Sequence, residues 1–551
     1  MRIKKLKLKN FKKFTNQAFD FNDDINVIVG DNESGKSSVL EAIEACLCYS
    51  HRGKPLTAEL TAALFNKDCV RAYIGGDHSQ TSLPEMLIEA YLDGNPALKG
   101  TNNAEGANTE GISLKVLFDP DLAAAYATFI GGPVKAATLP IEFYKIEWYS
   151  FAWDRMTHHN KCINSLFVDP SRLHPTYGRS RYINTIINAA VEPSARSKLN
   201  LHYRQMKVRF NTEPEVVSIN KKMDADNDIT DKELKIVADD GPTSNWENDL
   251  QLSVDDITFS LIGKGEQNQI QIKIAISNKA KDMDVVMLEE PENHLSHMNL
   301  VRLISYIENK NQGKQIFLTT HSSYVLNKLS IDKLCLLSKG YTRLQNIDAK
   351  TVKTLKRLPG YDTLRVVLAQ KLVLVEGPSD ELLLKKYHLN QHGCLPEERG
   401  IDIIVVRGIG FKTYLDVAKP IQHPVHVVKD NDGDYQNNIV EWSGEYEGCA
   451  FIEYFSPTDN LLYSLEPALI GANGETPQKL DKLAKVMLSR QTFTMYEKQA
   501  DLAARKEYLL NWYREPENSG SKKVDSAMRI FESAEDISYP EYLIKALDFV
   551  A

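Results

Sequence analysis

Residues 2–14 read RIKKLKLKNFKKF, with Ile3, Leu6 and Leu8 facing one way and lysines the other. That alternation predicts a half-exposed strand. INVIVG (25–30) is almost wholly apolar and predicts a buried strand. A polar, glycine-containing loop follows it, and then KSSVLEAIEACL (36–47), whose apolar spacing is helical. Residues 76–113 are rich in Gly, Asn and Ser and predict a surface hairpin or loop. IEFYKIEWYSF (141–151) predicts a further strand. Between about 160 and 245 the pattern changes: RYINTIINAAVEPSARSKLNLHYRQMKVRF and ITDKELKIVADD predict a charged helical module without chemical motifs. ITFSLIGKGEQNQIQIKIAI (257–276) returns to a glycine loop that opens a helix. MDVVMLEEPENHL (283–295) and KQIFLTTHSS (314–323) each read as a strand running into a polar loop. After LKRLPGYD (355–362) a second α/β series begins, with strands at 371–376, 401–406 and 426–430 and a helix at about 379–388. There is no internal repeat and no low-complexity tract.

Composition narrows the classes. A chain of 551 residues holds two to four domains of ordinary size, roughly 100–200 residues each. With 42% hydrophobic and 25% charged residues it is a globular sequence, not a disordered one. A net charge of −8 means that any surface for nucleic acid is local. The seven cysteines are scattered, odd in number and without a CxxC pair, which points to a reducing, cytoplasmic setting and away from zinc. The basic N-terminus lacks an apolar core segment, and no apolar run reaches about 18 residues, so neither a signal peptide nor a membrane span is expected.

GDNESGKS places Gly30, Asp31, Asn32, Glu33, Ser34, Gly35, Lys36 and Ser37 between the strand and the helix, with Ser38 behind them. It matches G-x-x-x-x-G-K-[ST], in which backbone N–H groups wrap phosphate oxygens. The lysine reaches the β/γ-phosphates of ATP and the serine hydroxyl meets Mg²⁺. A chance glycine turn would not sit in that strand–helix context. The apolar strand before LEEPE delivers Glu289, suited to the Mg²⁺ shell, and Glu290, suited to orienting the attacking water. His321 ends the next strand and is placed to contact the γ-phosphate. Alone it would read as an ordinary core or surface histidine. Ser260, Gly263 and Gly265 precede a helix N-terminus suited to a second phosphate contact.

The second series carries a different chemistry. Its first strand ends at Glu376 and a later one at Asp430 and Asp432, a D-x-D. In an open parallel sheet, groups beyond the carboxyl ends of strands share one site. Asp380, one helical turn after Glu376, faces the same way. Taken singly these are a helix cap and an NDGD turn. Together they are four mutually repelling carboxylates, tolerable when divalent cations neutralise them. Oxygen-only ligands favour Mg²⁺ or Mn²⁺ over zinc, and such ions serve phosphodiester cleavage.

The order GDNESGKS, SLIGKGEQ, LEEPENHL, TTHS resembles the ABC-type ATPases of the repair group that includes RecF and SMC heads. Glu289 stands where that group usually has Asp. The resemblance implies ATP sandwiched between two heads, the 260–265 loop of one facing the Lys36 loop of the other. VEGPSD and KDNDGD resemble the Toprim domain, and the whole chain resembles the OLD (overcoming lysogenization defect) family of ATPase–Toprim nucleases. The likeness is weakest over 156–244 and the last hundred residues. It implies an α/β protein: an ABC-type ATPase at 1–155 and 245–350, a helical dimerisation insert at 156–244, and a Rossmann-like Toprim domain at 351–551. Glu376 and Asp380 match its E-x-x-x-[ED] element, Asp430 and Asp432 its D-x-D, and Gly408 and Gly410 its glycine loop. The family's later acidic residue is Asp459 or Glu466 here, and its lysine Lys522 or Lys523. Implied as well are DNA as substrate, two metal ions, a homodimer or tetramer through the ATPase side, a role in phage defence and a partner protein there. The alternative is a DNA-repair ATPase whose Toprim half binds nucleic acid without cutting it.

Overall fold

The computed structural model describes residues 1–132, 137–157, 160–169, 191–225, 232–239, 241, 246–250, 252–259, 261–276, 284–310, 313–329, 331–337, 340–344, 353, 361–406, 410–514 and 519–549. The chain is α/β and divides into two compact units, Met1–His321 and Ser322–Ala551. The expected boundary at 350/351 lies outside the described residues.

The first unit contains two sheets. In the antiparallel one, β1 (Arg2–Phe11) pairs with β2 (Phe14–Asp20) and with β4 (Met86–Asp93). β4 then pairs with β5 (Thr109–Phe118), and β5 with β6 (Tyr144–Ser150). Strict alternation would put Ile3 and Leu6 on opposite faces. The register of β1 against β4 shifts between Ile3 and Lys5, and this irregularity brings Ile3, Leu6 and Leu8 to one fully buried face. The segment 76–113, expected to be surface loop, instead supplies β4 and the start of β5. Its glycines misled because one of them works inside a strand: a Cβ on Gly111 would stand 2.2 Å from the Phe151 ring.

The second sheet of this unit is parallel. β7 (Ser165–Val168), β8 (Val285–Glu289), β9 (Gln315–Thr319) and β3 (Ile25–Gly30) run side by side in that order. Segment 165–168, expected within the helical insert, therefore belongs to the ATPase sheet. α1 (Lys36–Cys48) packs on strands of both sheets and is buried on almost every face from Val39 to Cys48, which explains its lack of a polar stripe. The insert contributes α2 (Pro193–Asn211) and α3 (Pro214–Ala225). Residues 232–239, expected to be helical, are irregular, and the rest of 229–240 and residues 181–190 lie outside the described residues. α4 (Lys264–Ile276) and α5 (His297–Lys310) complete the principal elements.

The second unit is built on four parallel strands in the order β11 (Ile401–Val405), β10 (Lys371–Val375), β12 (Val425–Val428), β13 (Ile452–Phe455). The chain goes from β10 to one neighbour, β11, then crosses to the other, β12. The crevice at the carboxyl ends of β10 and β12 is thus a topological switch point, where open α/β sheets bind ligands. α6 (Pro378–His392) follows β10, and α7 (Phe411–Ile421) precedes β12. α8 (Leu465–Asn473), α9 (Ser519–Glu532) and α10 (Glu541–Lys545) follow the last strand. Leu383, Leu469, Ile530 and Leu543 from these helices share one core with Val373 and Val375.

Glu41 on α1 is a buried carboxylate with cationic partners: it pairs with Lys12, with Arg52 Nε at 3.0 Å and with His51 Nε2 at 3.6 Å. Burial alone would raise its pKa, but His51 and Lys12 outweigh it and hold the carboxyl well below the usual range. A depressed pKa contributes stability above the unfolded value, about 4.3, and loses it as pH falls below that. Glu41→Gln should therefore cost on the order of 3 kcal/mol at pH 7, and the difference from wild type should shrink in chemical melts below pH 4.

Candidate functional site

Two sites emerge, one in each unit. In the first, β3 ends at Gly30 and the chain turns through residues 31–35 into α1. Gly35 has φ +104°, and a Cβ there would meet Phe14 at 2.6 Å. Only glycine suits both demands. α1 begins without a side-chain cap and without an acid in its first turn, so its N–H groups are left for an anion. Ser34 Oγ is buried beside them with no hydrogen-bond partner. Lys36 Nζ donates to Gly30 O at 3.0 Å and Asp31 O at 2.9 Å. Burial lowers its pKa, against the raising pull of Glu290, Asp31, Glu289 and Glu292. These groups fit a nucleotide's phosphates.

The parallel register sets Glu289 opposite Thr319. Glu290, at φ 41°, takes its position from its own N–H, which donates to Thr319 O and Oγ1, both at 3.1 Å. Its carboxylate stands 3.4 Å from His321 Nε2 and accepts from Asn293 Nδ2 at 2.8 Å. Glu290 and His321 are therefore neighbours, as their order suggested. Sequence reasoning missed Glu292, which accepts from Thr320 Oγ1 at 2.6 Å and from His321 N at 2.8 Å. A third polar residue in the same acidic loop was the available signal. Asn268, fully buried, ties α4 to this loop by donating to Pro291 O at 2.9 Å. Gly265 allows the approach, since a Cβ there would stand 2.2 Å from His294 O. Gly263 has open space around it. Ser260 lies outside the described residues.

The second site stands at the switch point. Glu376 follows β10, and its Oε2 accepts from Asp430 N at 3.3 Å. Asp380 is 6% exposed at the start of α6, where its Oδ2 accepts from Gly377 N at 3.0 Å. It is thus both the expected cap and a buried acid of the cluster. Asp430 follows β12, and Asp432 sits at φ 48° on the turn beyond, its N–H donating to Tyr463 O. Burial pushes the Asp380 carboxyl up to about 7, with Glu466 and Glu376 adding to the rise. Burial likewise pushes Asp430 up to about 8, helped by Asp380, Glu376, Glu466 and Asp432.

Glu466 joins this field from α8, buried, accepting from Ser464 Oγ and from Lys523 Nζ, each at 2.9 Å. Asp459 instead accepts from Leu461 N at 2.9 Å and caps the next turn. Lys522 donates to Trp512 O at 3.3 Å and lies over the Trp512 ring. The geometry thus separates the pairs that sequence left open, bringing Glu466 and Lys523 to the cluster. Gly408 lies outside the described residues, and Gly410, at φ +90°, opens α7. Among the described residues no three His, Cys, Asp or Glu side chains stand in ligating geometry. The carboxylates are close enough to disturb one another's titration but have not converged. The donor set, oxygen-only and rich in negative charge, fits a hard divalent cation.

A family model for an AAA domain matches residues 5–81, and one described as an AAA domain, putative AbiEii toxin, Type IV TA system, matches 236–327. The model of the Overcoming lysogenization defect protein-like TOPRIM domain matches 367–432. The DNA replication and repair protein RecF of Lachnoclostridium phytofermentans is 39% identical over 22% of this chain, and the match spans 33% of that protein. An ATP/GTP phosphatase of Helicobacter pylori is 23% identical over 58% of this chain and 85% of its own length. Among solved structures, an SMC head bound to the C-winged helix domain of ScpA aligns at 14% identity and a TM-score of 0.35, over 61% of this chain and 94% of that one. Among the described residues no helix is long and apolar enough to cross a membrane.

The raised carboxyls have a consequence for stability. A folded pKa of about 7 or 8 against an unfolded value of about 4 means that the folded state binds protons more tightly. Stability from this cluster is full below pH 4 and is lost as pH rises towards 8. In EDTA the melting temperature should fall between pH 6 and pH 8, and Asp430→Asn should flatten that fall.

Proposed function

We propose that this chain, an ABC-type ATPase followed by an OLD-like Toprim domain, is an ATP-hydrolysing, divalent-cation-dependent DNA endonuclease. The observation that carries the nuclease half is the placement of Glu376, Asp380, Asp430 and Glu466 within one another's field at the switch point of a parallel sheet. In the ATPase half, Lys36 holds the β/γ-phosphates and Ser37 with Glu289 holds Mg²⁺. Glu290, steadied by Asn293 and His321, orients the attacking water. In the Toprim half, Glu376, Asp380, Asp430, Asp432 and Glu466 hold Mg²⁺ or Mn²⁺. Bound there, the cations supply Lewis-acid stabilisation of the scissile phosphate. Lys523, held against Glu466, presents a positive charge to the substrate's phosphate oxygens. The setting is cytoplasmic phage defence. One observation favours the rival reading, an ATPase whose Toprim half only binds nucleic acid: no three acidic side chains converge among the described residues.

The two activities separate by substitution. Lys36→Ala should abolish ATP turnover, and Glu290→Gln should slow it at least a hundredfold, about the loss of a general base, with nucleotide still bound. Asp430→Ala should leave turnover intact while nicking of supercoiled DNA with Mg²⁺ or Mn²⁺ disappears. Wild type that binds DNA but never nicks it would establish the rival.

The insert is the dimerisation module. On α2, Leu201, Met206, Val208 and Phe210 are 56–60% exposed, and Ile219 on α3 is 51% exposed. Apolar side chains this exposed on adjoining helices suit a second copy of the same surface. Removing residues 191–225 should halve the mass in solution, and an unchanged oligomer would exclude this role.

A further inference from the structure

Tyr542 lies on α10, which packs on α6 and on β13. The side chain is 9% exposed and belongs to the core of the second unit. Its hydroxyl is buried and has no hydrogen-bond partner. A buried phenol almost always finds one, and leaving it unpaired costs about 1–3 kcal/mol. The groups whose charge bears on it are Asp380 first, then Asp430, Glu466 and Glu376. These are the carboxylates of the proposed cation centre. The acids therefore share their buried end of the sheet with a donor that is not yet engaged. Asp380 has room for it: its Oδ2 is occupied by Gly377 N–H, and a buried, ionised carboxylate needs more than one donor.

We propose that Tyr542 is a positioning residue of the carboxylate centre, its phenolic O–H donating to Asp380 once that carboxylate is ionised against a divalent cation. The bond fixes the orientation of Asp380, so that the carboxylate presents its remaining lone pairs to the ion. Groups that hold a ligating carboxylate in this way typically change metal affinity 10–100-fold when removed. The inference rests on the cation-centre reading above. It adds a residue some eighty positions beyond the last acid of the cluster, on a segment that no motif marks.

The test uses the full-length chain and thermal melts with Mn²⁺ as the probe. Tyr542→Phe removes one oxygen and keeps the ring in the core. In EDTA it should melt at or slightly above the wild-type temperature, because an unpaired hydroxyl is lost. The Mn²⁺ concentration giving half of the thermal shift should rise about tenfold. Tyr539→Phe is the control: its hydroxyl is also buried and unpartnered, but the nearby acid is Asp536. It should keep the wild-type Mn²⁺ midpoint. A wild-type midpoint in Tyr542→Phe, or a melt well below wild type in EDTA, overturns the proposal. Asp430→Ala separates the two layers. If it loses the Mn²⁺ shift while Tyr542→Phe keeps it, only the role of Tyr542 fails. If Asp430→Ala keeps the shift, the cation centre itself is wrong and this inference falls with it.

Discussion

Like charges gathered at the carboxyl ends of two adjacent buried strands set the terms for the second unit. β10 and β12 are fully apolar along their length, and their direction leaves the chain only one place to put chemistry, beyond Val375 and Val428. Glu376, Asp380, Asp430 and Glu466 meet there with Lys523 as the cation seen against one of them. At neutral pH such a cluster must hold protons or bind a cation. The raised carboxyls of Asp380 and Asp430 are the first of these outcomes, and a hard divalent ion is the second. A core strand would need no such arrangement, so the energetic cost is itself an argument for function.

The first unit solves a different problem, how to leave donors free for an anion inside a packed protein. α1 is gripped between two sheets, which fixes its N-terminus without any capping side chain. Lys36 and Ser34 then face a space framed by backbone, and the acids of the 289–292 loop stand across from the lysine. Glu292 and Asn268 hold that loop from behind, one through Thr320 and His321, the other through Pro291. Their role is to keep Glu290 and His321 within 3.4 Å of each other.

Strand–loop–helix order around Lys36 and the strand ends at Glu376 and Asp430 were legible because apolar runs and polar interruptions coincide there. The phase shift between Ile3 and Leu6 was also visible, though its cause, an irregular register, needed the partner strand. β4 and β5 were hidden by glycines whose purpose is close packing on Phe151. Residues 165–168 were assigned to the insert because a four-residue strand carries too little periodicity to separate from its surroundings. Asp459 and Glu466 could not be told apart in the sequence, since a capping acid and a buried acid look alike until the helices around them are placed. Tyr542 was beyond reach for the same reason: its neighbours are distant in the chain.

The central claim is that protons now balance charges meant for a cation. Calorimetric titration of Mn²⁺ into the nucleotide-free protein at pH 7, in buffers of differing ionisation enthalpy, reads the protons released on binding. With carboxyls at about 7 and about 8, binding should release about one proton or more, and Asp430→Asn should lose that release. Binding that releases no proton, or no binding without nucleotide, would contradict the account.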